Sequence, residues 1–265
     1  MKDTLIVITN TFWQMLGKIF SVVISFITIT ALTRYLGTSG YGNFNLVFTY
    51  LSFFGVLADL GVNLLFVKEY TRTSNSSTVA RFLGSKLLLV LFSLVLSLIF
   101  IPLLPYDTTV KTGLTLGTLA VSIGYLNGFG YAILQSRTQL HLVALYEFIN
   151  RLVTIAILLF FIQIKLGFIY MLASVFLGNF ISFLLAMLTI EGFLPTKLQF
   201  SILHIKKSVL MAIPIGITAI FSALYFRIDT LILSFYRSPN DVGIYSLAYK
   251  IFDNVLILWG LYMAS

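Results

Sequence analysis

Five long stretches without a charged residue constrain this chain more than any other feature of its sequence. As α-helices rising about 1.5 Å per residue, all five are long enough to cross the roughly 30 Å of bilayer hydrocarbon. They cover residues 35–58, 87–106, 112–136, 166–190 and 208–226. Because 59% of the 265 residues are hydrophobic and only 10% are charged, the sequence predicts a protein that crosses the membrane several times.

Three further hydrophobic stretches contain charged residues. They are residues 8–33 with Lys18, residues 142–164 with Glu147 and Arg151, and residues 242–264 with Lys250 and Asp253. Each is needed to return the chain across the membrane between its neighbours. The predicted fold is therefore all-α, a polytopic membrane helical bundle of about eight transmembrane helices.

The basic residues sort unevenly between the two sides of these eight spans. The N-terminus and the even-numbered connections carry Lys2, Lys68, Arg72, Arg81, Lys86, Arg137, Lys197, Lys206 and Lys207. The odd-numbered connections carry Arg34, Lys111, Lys165 and Arg237. Basic residues concentrate on the cytoplasmic side of membrane proteins, so the N-terminus is predicted to be cytoplasmic.

The first outward connection is the glycine-rich stretch ALTRYLGTSGYGNF, residues 31–44. Gly37 and Gly40 permit the positive φ angles of a tight turn, and Gly42 allows close approach of a neighbouring helix. When the sequence is aligned with itself at an offset of 201 residues, this region aligns with SPNDVGIYSLAYKIFDNV. In that alignment Gly42 corresponds to Gly243 and Leu46 to Leu247. The two regions are predicted to be equivalent hairpins of a repeated architecture.

The same stretch, followed by LADLGVNLLFVKEYTR, resembles the N-terminal signature of polysaccharide biosynthesis proteins. These are Wzx-type oligosaccharide flippases of the multidrug/oligosaccharidyl-lipid/polysaccharide (MOP) transporter superfamily. AILQSRTQ and YFRIDTLILSFYRSPNDVGIYSLAYKI extend the resemblance along the chain. It implies a MATE-like architecture with a six-helix N-terminal lobe at residues 1–200. Residues 201–265 would be the first hairpin of a truncated second lobe, so that the chain is interpreted as an N-terminal fragment.

The resemblance also implies a function and a location. The protein would flip polyprenyl-pyrophosphate-linked oligosaccharide, the repeat unit of O-antigen, capsule or a related polysaccharide, across the bacterial inner membrane by alternating access. Its expected partners are this lipid-linked substrate, membrane lipids, a coupling proton or sodium ion, and polysaccharide assembly proteins. Nucleic acid is not an expected partner.

Charged residues within the spans are the candidate site residues. An ionised side chain in hydrocarbon costs about 2.5 to 3.5 kcal/mol on insertion scales, so each needs a partner or an aqueous cavity. The candidates for binding the anionic head group are Lys18, Arg151, Arg227 and Lys250, with Arg34 at the outer edge as either a head-group contact or a helix anchor. The candidate coupling or ion-pairing carboxylates are Glu147, Asp229 and Asp253.

Spacing along each helix suggests how these charges pair. Glu147 and Arg151 lie four residues apart and share a face, so they could simply neutralise each other. Arg227 and Asp229 lie two apart and point in different directions, so each is expected to contact another helix. Asp59, near Lys68 at the inner end of its helix, is interpreted as a helix-end or gate contact.

Two other functions remain open from the sequence. A MATE-type multidrug exporter would favour an acidic cavity. The spans hold four cations against four carboxylates, counting Asp59, and this balance argues only mildly against an exporter. A membrane glycosyltransferase or polymerase would need carboxylates for metal or base chemistry, and the sequence has no D-x-D or H-E-x-x-H motif. With no cysteine, the chain offers no thiol chemistry. No enzymatic activity, catalytic residue, metal or cofactor is therefore expected.

Overall fold

In the parts that it describes, the computed structural model of this chain consists of helices joined by short connections. It describes the backbone of residues 2–73, 75–193 and 202–263, and the side chains of residues 20, 22–73, 75, 77–193, 206 and 208–253. The helices are α1 (Lys2–Asp59), α2 (Val62–Thr73), α3 (Ser76–Phe100), α4 (Thr108–Ser136), α5 (Leu140–Gln163), α6 (Phe168–Ile190), α7 (Ile202–Tyr236) and α8 (Pro239–Met263). Short 3-10 turns at Ile101–Leu103 and Glu191–Phe193 follow α3 and α6. The boundary predicted at residue 200 lies outside the described residues.

Six helical stretches of the described residues are long and apolar enough to cross a membrane. They are Val22–Thr73, Ser77–Leu103, Thr108–Ser136, Leu140–Gln163, Phe168–Phe193 and Ser208–Tyr236. Large apolar side chains also cover the outside of the bundle, as on α3, where Leu88, Leu91, Phe92, Val95 and Ile99 form an exposed stripe at helical spacing. The predicted helical membrane bundle is confirmed.

Helix α1 is not straight, because the chain reverses at Gly37. This residue has φ 68° and ψ 177°, inside an otherwise helical segment. Residues 24 and 48 line the same cavity, although a straight helix would separate them by about 36 Å. Residues 2–36 and 38–59 are therefore two antiparallel legs, called here the first and second legs of α1. With α3 to α8 they make eight long helical segments in the described part of the chain.

The prediction for the glycines of this turn is correct at Gly37 and wrong at Gly40. Of the described glycines, Gly37 and Gly61 have positive φ, and Gly40 has an ordinary helical backbone. One left-handed residue is enough to reverse the chain, so Gly40 already belongs to the first turn of the second leg. The nearest atoms to a Cβ built on Gly40 belong to Leu36 in the preceding turn.

The longest predicted connection, residues 66–82, is mostly helical rather than a loop. Amphipathic α2 buries Val62, Leu65 and Phe66, while Lys68 and Arg72 are exposed. Because its apolar and basic residues lie on different faces, this short helix covers the end of the bundle with one face and exposes basic residues on the other. Apolar packing there overrides the polar composition that predicts a loop.

The second leg of α1 packs against α8 through reciprocal contacts at positions that the internal repeat relates. A Cβ added to Gly42 would collide with the carbonyl oxygen of Pro239, and a Cβ added to Gly243 would collide with that of Thr38. The shift of 201 residues relates Thr38 to Pro239 and Gly42 to Gly243. Such exchanged contacts are those of a local twofold axis between the two helices.

The same axis continues one turn further along both helices. Asn45 Nδ2 donates a hydrogen bond of 2.8 Å to Ser246 Oγ, and these positions are again 201 residues apart. Small residues at the crossing allow the helices to approach closely, and an amide-hydroxyl bond then joins them. The N-terminal and C-terminal parts of the chain are thereby held together along one seam.

Candidate functional site

A cavity of about 560 Å³ lies within the bundle beside this seam. It is lined by residues from both legs of α1, from α4, α5 and α6, and by Lys250 of α8. The contribution of α5 is a stripe at helical spacing, formed by Glu147, Asn150, Arg151 and Thr154. A volume of this size falls in the range of small-molecule binding sites.

Arg151 and Lys250 bring two positive charges into this cavity from helices distant in sequence. Arg151 lies near the middle of α5 and Lys250 near the middle of α8, each about 17 Å from the nearer helix end. Glu147 lines the same wall one turn before Arg151. The fold thus unites two of the four predicted cations and one of the three predicted carboxylates.

Arg227 and Asp253 form an ion pair between α7 and α8. Arg227 Nη2 donates to Asp253 Oδ2 at 3.1 Å, and both side chains are partly buried, with exposures of 29% and 19%. Neither is among the residues that line the cavity, but the charges of Arg227, Asp253 and Arg151 all act on Lys250. Arg227 is therefore outside the described lining of the cavity, but close enough for its charge to act on Lys250.

Asp229 also contacts α8, as its spacing from Arg227 predicts. Tyr245 donates its hydroxyl to Asp229 Oδ2 at 2.5 Å, and Asp229 Oδ1 accepts the backbone N–H of Thr230 at 2.6 Å. Arg227 thus pairs with Asp253 on α8, and Asp229 accepts hydrogen bonds from Tyr245 on α8 and from the backbone of Thr230. The two residues do not pair with each other.

The other predicted cations are Lys18, the last of the four, and Arg34, the additional candidate at the outer edge. Arg34 is exposed three residues before the turn at Gly37. Lys18 belongs to the first leg of α1, but its side chain lies outside the described residues. Of the four cations predicted to converge, the described cavity lining contains Arg151 and Lys250 but not Arg227, and the position of Lys18 stays a prediction. The structure does not bring Arg34 to this cavity.

Uncharged polar side chains make up much of the rest of the lining of the 560 Å³ cavity. The site predicted from the sequence contains charged residues alone and does not include them. Asn150 Nδ2 donates to Asn179 Oδ1 at 2.9 Å, and Thr154 donates to Asn150 Oδ1 at 3.2 Å. Helices α5 and α6 meet closely here, since a Cβ on Gly178 would lie 2.7 Å from Asn150 Oδ1. These bonds fix the amides of the cavity wall in defined orientations.

A second polar group lies where α4 meets α6. Asn127 Nδ2 donates to Ser182 Oγ at 3.3 Å, and the hydroxyl of Tyr131 is hydrogen-bonded to the same Ser182 oxygen. The spacing of Gly124, Asn127 and Tyr131 on one helical face is the sequence signal that could identify this surface.

Asp59 is paired with Lys86, not with its sequence neighbour Lys68. The distance between Lys86 Nζ and Asp59 Oδ1 is 2.6 Å, with side-chain exposures of 1% and 34%. The sequence places Lys86 in a connection, but α3 begins at Ser76 and carries Lys86 into the bundle. The carboxylate of Asp59 compensates a charge that would otherwise be buried alone.

A smaller cavity of about 320 Å³ lies at the Gly42 crossing itself, where Gly42 and Pro239 line it, at the predicted outer face. Tyr106, in the connection before α4, lines it together with Arg237 and Asn43. The Tyr106 hydroxyl is hydrogen-bonded to Ser234 at 2.6 Å, and its ring stacks on Phe235 with centroids 5.9 Å apart. Burial raises the pKa of Tyr106, partly offset by the bond to Ser234. This contact ties the connection to α7.

Long apolar helices around a cavity lined by charges and amides define a polytopic membrane protein with a polar internal cavity. Residues 7–264 match the polysaccharide biosynthesis protein family, and the chain belongs to that family. The resemblance drawn from the sequence is therefore confirmed at the level of the family.

One solved structure, designated "protein A", has the same fold. It superposes with a TM-score of 0.71 at 16% sequence identity, covering 95% of this chain and 61% of that chain. This chain thus spans about three fifths of the length of protein A. At this identity the likeness concerns the fold alone. No curated protein matches the sequence significantly.

Proposed function

We propose that this protein is a flippase that moves polyprenyl-pyrophosphate-linked oligosaccharide across the cytoplasmic membrane of a bacterium by alternating access. Membership of the polysaccharide biosynthesis family supports a transport role in polysaccharide synthesis. In this proposal the N-terminus is cytoplasmic, and the chain forms a first lobe up to about residue 200 and part of a second lobe after it. Polysaccharide assembly proteins would supply the substrate and receive it.

The proposal rests on the 560 Å³ cavity, to which α5 contributes Arg151 and α8 contributes Lys250. A pyrophosphate-linked sugar has a strongly anionic group and a hydrated glycan, neither of which enters hydrocarbon without compensation. Arg151 and Lys250 supply positive charge at about mid-membrane, where arginine can bind phosphate oxygens in pairs and lysine acts as a compact charge. The amides and hydroxyls beside them can replace water around a glycan.

The polarity of this cavity favours an anionic substrate over the cationic drugs of a multidrug exporter. Its described lining holds two cations, Arg151 and Lys250, and one carboxylate, Glu147. Glu147, Asp229 and Asp253 stay the candidate carboxylates for binding a coupling proton or sodium ion. Arg227 acts in this proposal by setting the charge around Lys250, because its own guanidinium is engaged by Asp253.

The proposal is tested by removing the two charges separately in cells whose surface polysaccharide depends on this protein. Arg151→Gln and Lys250→Gln should each lower surface glycan about tenfold, since a hydrogen bond to a charged group contributes about 1.5 to 3 kcal/mol. The lipid-linked precursor should accumulate on the cytoplasmic side. Quantitative glycan labelling and lipid extraction measure both quantities.

Matched controls come from the exposed face of α2. Arg72→Gln and Lys68→Gln remove the same charges from positions outside the cavity lining, and should leave export unchanged at equal membrane levels. Undiminished export in both cavity variants would contradict the proposal. Increased efflux of a cationic dye in Arg151→Gln, with normal glycan export, would favour the multidrug exporter instead.

A further inference from the structure

The internal repeat gives the residues of the cavity wall on α1 counterparts on α7 and α8. The offset of 201 residues relates the two legs of α1 to these two helices without a gap, and the exchanged contacts at the Gly42 crossing show the same twofold relation in the structure. The α1 residues that line the cavity include Ile24, Thr28, Phe44 and Phe48. Their counterparts are Tyr225, Asp229, Tyr245 and Tyr249. The repeat therefore predicts a second wall, formed by these four residues.

The four counterparts lie together between α7 and α8, and they are called here the aromatic platform. The hydroxyl of Tyr245 donates to Asp229 Oδ2 at 2.5 Å, which joins the two helices. The rings of Tyr245 and Tyr249 have centroids 5.8 Å apart. Tyr225 lies one turn before Asp229 on the same face of α7, and is close enough to Tyr249 to interact with it electrostatically. Three tyrosines thus surround one carboxylate.

The aromatic platform is accessible and lies near the middle of the membrane. Tyr225 is 77% exposed and Tyr245 is 37% exposed. Tyr225 and Tyr249 are each about 16 Å from the outer end of their helix, whereas tyrosines that anchor helices at the bilayer surface lie near helix ends. A carboxylate that faces hydrocarbon at this depth is costly. We therefore expect the face that carries Asp229 to meet water.

The chemistry of these side chains matches one part of the proposed substrate. The negative face of an aromatic ring attracts the polarised C–H groups of a sugar ring, and a carboxylate accepts hydrogen bonds from sugar hydroxyls. Asp229 accepts one hydrogen bond from Tyr245 and two from Thr230, and an ionised carboxylate has about four acceptor positions. Pyrophosphate oxygens are acceptors themselves and would be repelled by Asp229. The saccharide is therefore the part of the substrate that suits this surface.

We propose that the aromatic platform binds the saccharide of the transported lipid-linked oligosaccharide, by stacking of sugar rings on its tyrosines and by hydrogen bonds to Asp229. This inference rests on the proposed function. The platform and the 560 Å³ cavity meet along α8, because Lys250 lines the cavity and Tyr249 is the residue before it. Arg151 and Lys250 bind the pyrophosphate, and the platform holds the glycan beside it. This role removes Asp229 from the candidates for binding the coupling ion.

Binding to the chain in lipid nanodiscs tests this inference with two defined probes. The first is undecaprenyl pyrophosphate, which carries no sugar, and the second is undecaprenyl pyrophosphate linked to an N-acetylglucosamine disaccharide. The unaltered protein should bind the second probe more tightly. Tyr225→Leu should weaken binding of the sugar-bearing probe about fivefold through lost stacking. Asp229→Asn should weaken it about tenfold, because hydrogen bonds to a charged group are stronger. Neither variant should weaken binding of the sugar-free probe.

Two further variants are matched controls for Tyr225→Leu. Tyr225→Phe keeps the aromatic ring and should retain the affinity for the sugar-bearing probe. Tyr236→Leu removes a tyrosine that is 83% exposed on the same face of α7, about three turns nearer the outer end, and should change neither Kd. Because Tyr225 is as accessible as Tyr236, its replacement is expected to leave the fold intact.

The outcomes separate this inference from the proposed function. If either Tyr225→Leu or Asp229→Asn retains the full sugar preference, or weakens both probes equally, the inference is overturned and this face packs against protein or lipid instead. Equal binding of both probes by the unaltered protein would also overturn it, while the proposed function would stand. Arg151→Gln should weaken both probes, which tests the cationic side independently. Failure of the unaltered protein to bind either probe would overturn the proposed function and this inference with it.

Discussion

The close crossing of the second leg of α1 with α8 makes a strong prediction about Gly42. In Gly42→Ala the new methyl group would collide with the carbonyl oxygen of Pro239 and lie 2.8 Å from the backbone nitrogen of Gly243. Both atoms belong to the backbone, so no side-chain rotation can relieve the collision. The helices must move apart, and the Asn45–Ser246 hydrogen bond one turn away is strained by the same movement.

The magnitude follows from two opposing contributions. Alanine is favoured over glycine within a helix by about 1 kcal/mol. Overpacking of a tightly packed contact costs about 1 to 3 kcal/mol, and more when the backbone has to shift. Because the backbone has to shift here, we take an overpacking cost of about 2 to 3 kcal/mol and expect a net loss of about 1 to 2 kcal/mol. It is measured as a lower thermal unfolding midpoint in detergent by fluorescence-detected size-exclusion chromatography.

Two comparisons make this prediction specific. Gly243→Ala should be destabilising by a similar amount, because its collision with Thr38 is the reciprocal one. The double variant should lose less than the sum of the two, since one separation of the helices relieves both collisions. Gly192→Ala, in the 3-10 turn that follows α6, has no atom within 4 Å of the added carbon and should not be destabilising. A Gly42→Ala protein as stable as the unaltered chain would refute the close packing.

Two other contacts give measurable expectations of their own. Asp59→Asn should lower the thermal unfolding midpoint more than Lys86→Met. The first variant leaves Lys86, which is 1% exposed, without its ion-pair partner, whereas Asp59 is 34% exposed and still reaches solvent in the second. Equal losses in the same melting assay would contradict this reasoning. Tyr106→Phe keeps the stack on Phe235 but loses the hydrogen bond to Ser234, and should cost about 0.5 to 1.5 kcal/mol of stability. Ser234→Ala should cost a similar amount, and the double variant no more than either single one.

Several features of the fold can be predicted from the amino-acid sequence alone. The uncharged runs predict the helices because a span of hydrocarbon requires a certain length of apolar chain, and this depends on local composition alone. Gly37 is identifiable as a turn residue because φ angles near +68° are costly for residues with a Cβ. The correspondence of Gly42 with Gly243 predicts equivalent helices, whereas the reciprocal contact between these two helices is visible only in the structure.

The site is only partly predictable from the sequence. The cost of a charge in lipid identifies Arg151 and Lys250 as residues that need either an aqueous cavity or an oppositely charged partner. It does not indicate which of these environments surrounds each residue. Neutral amides such as Asn127 are easily overlooked, because a single asparagine in an apolar helix carries no comparable penalty and no motif. Whether such an amide lines a cavity depends on how the helices around it pack.

By itself, the sequence determined that this is a helical membrane protein, where its helices run, where the chain first reverses, and which charges had to be compensated. Only the tertiary structure decided that Arg227 pairs with Asp253 and Asp59 with Lys86, while Arg151 and Lys250 share a cavity. The physical reason is that hydrophobicity fixes the path of a helix through the membrane but not its rotation about its own axis. That rotation is set by packing against neighbouring helices, and it determines which polar side chains meet.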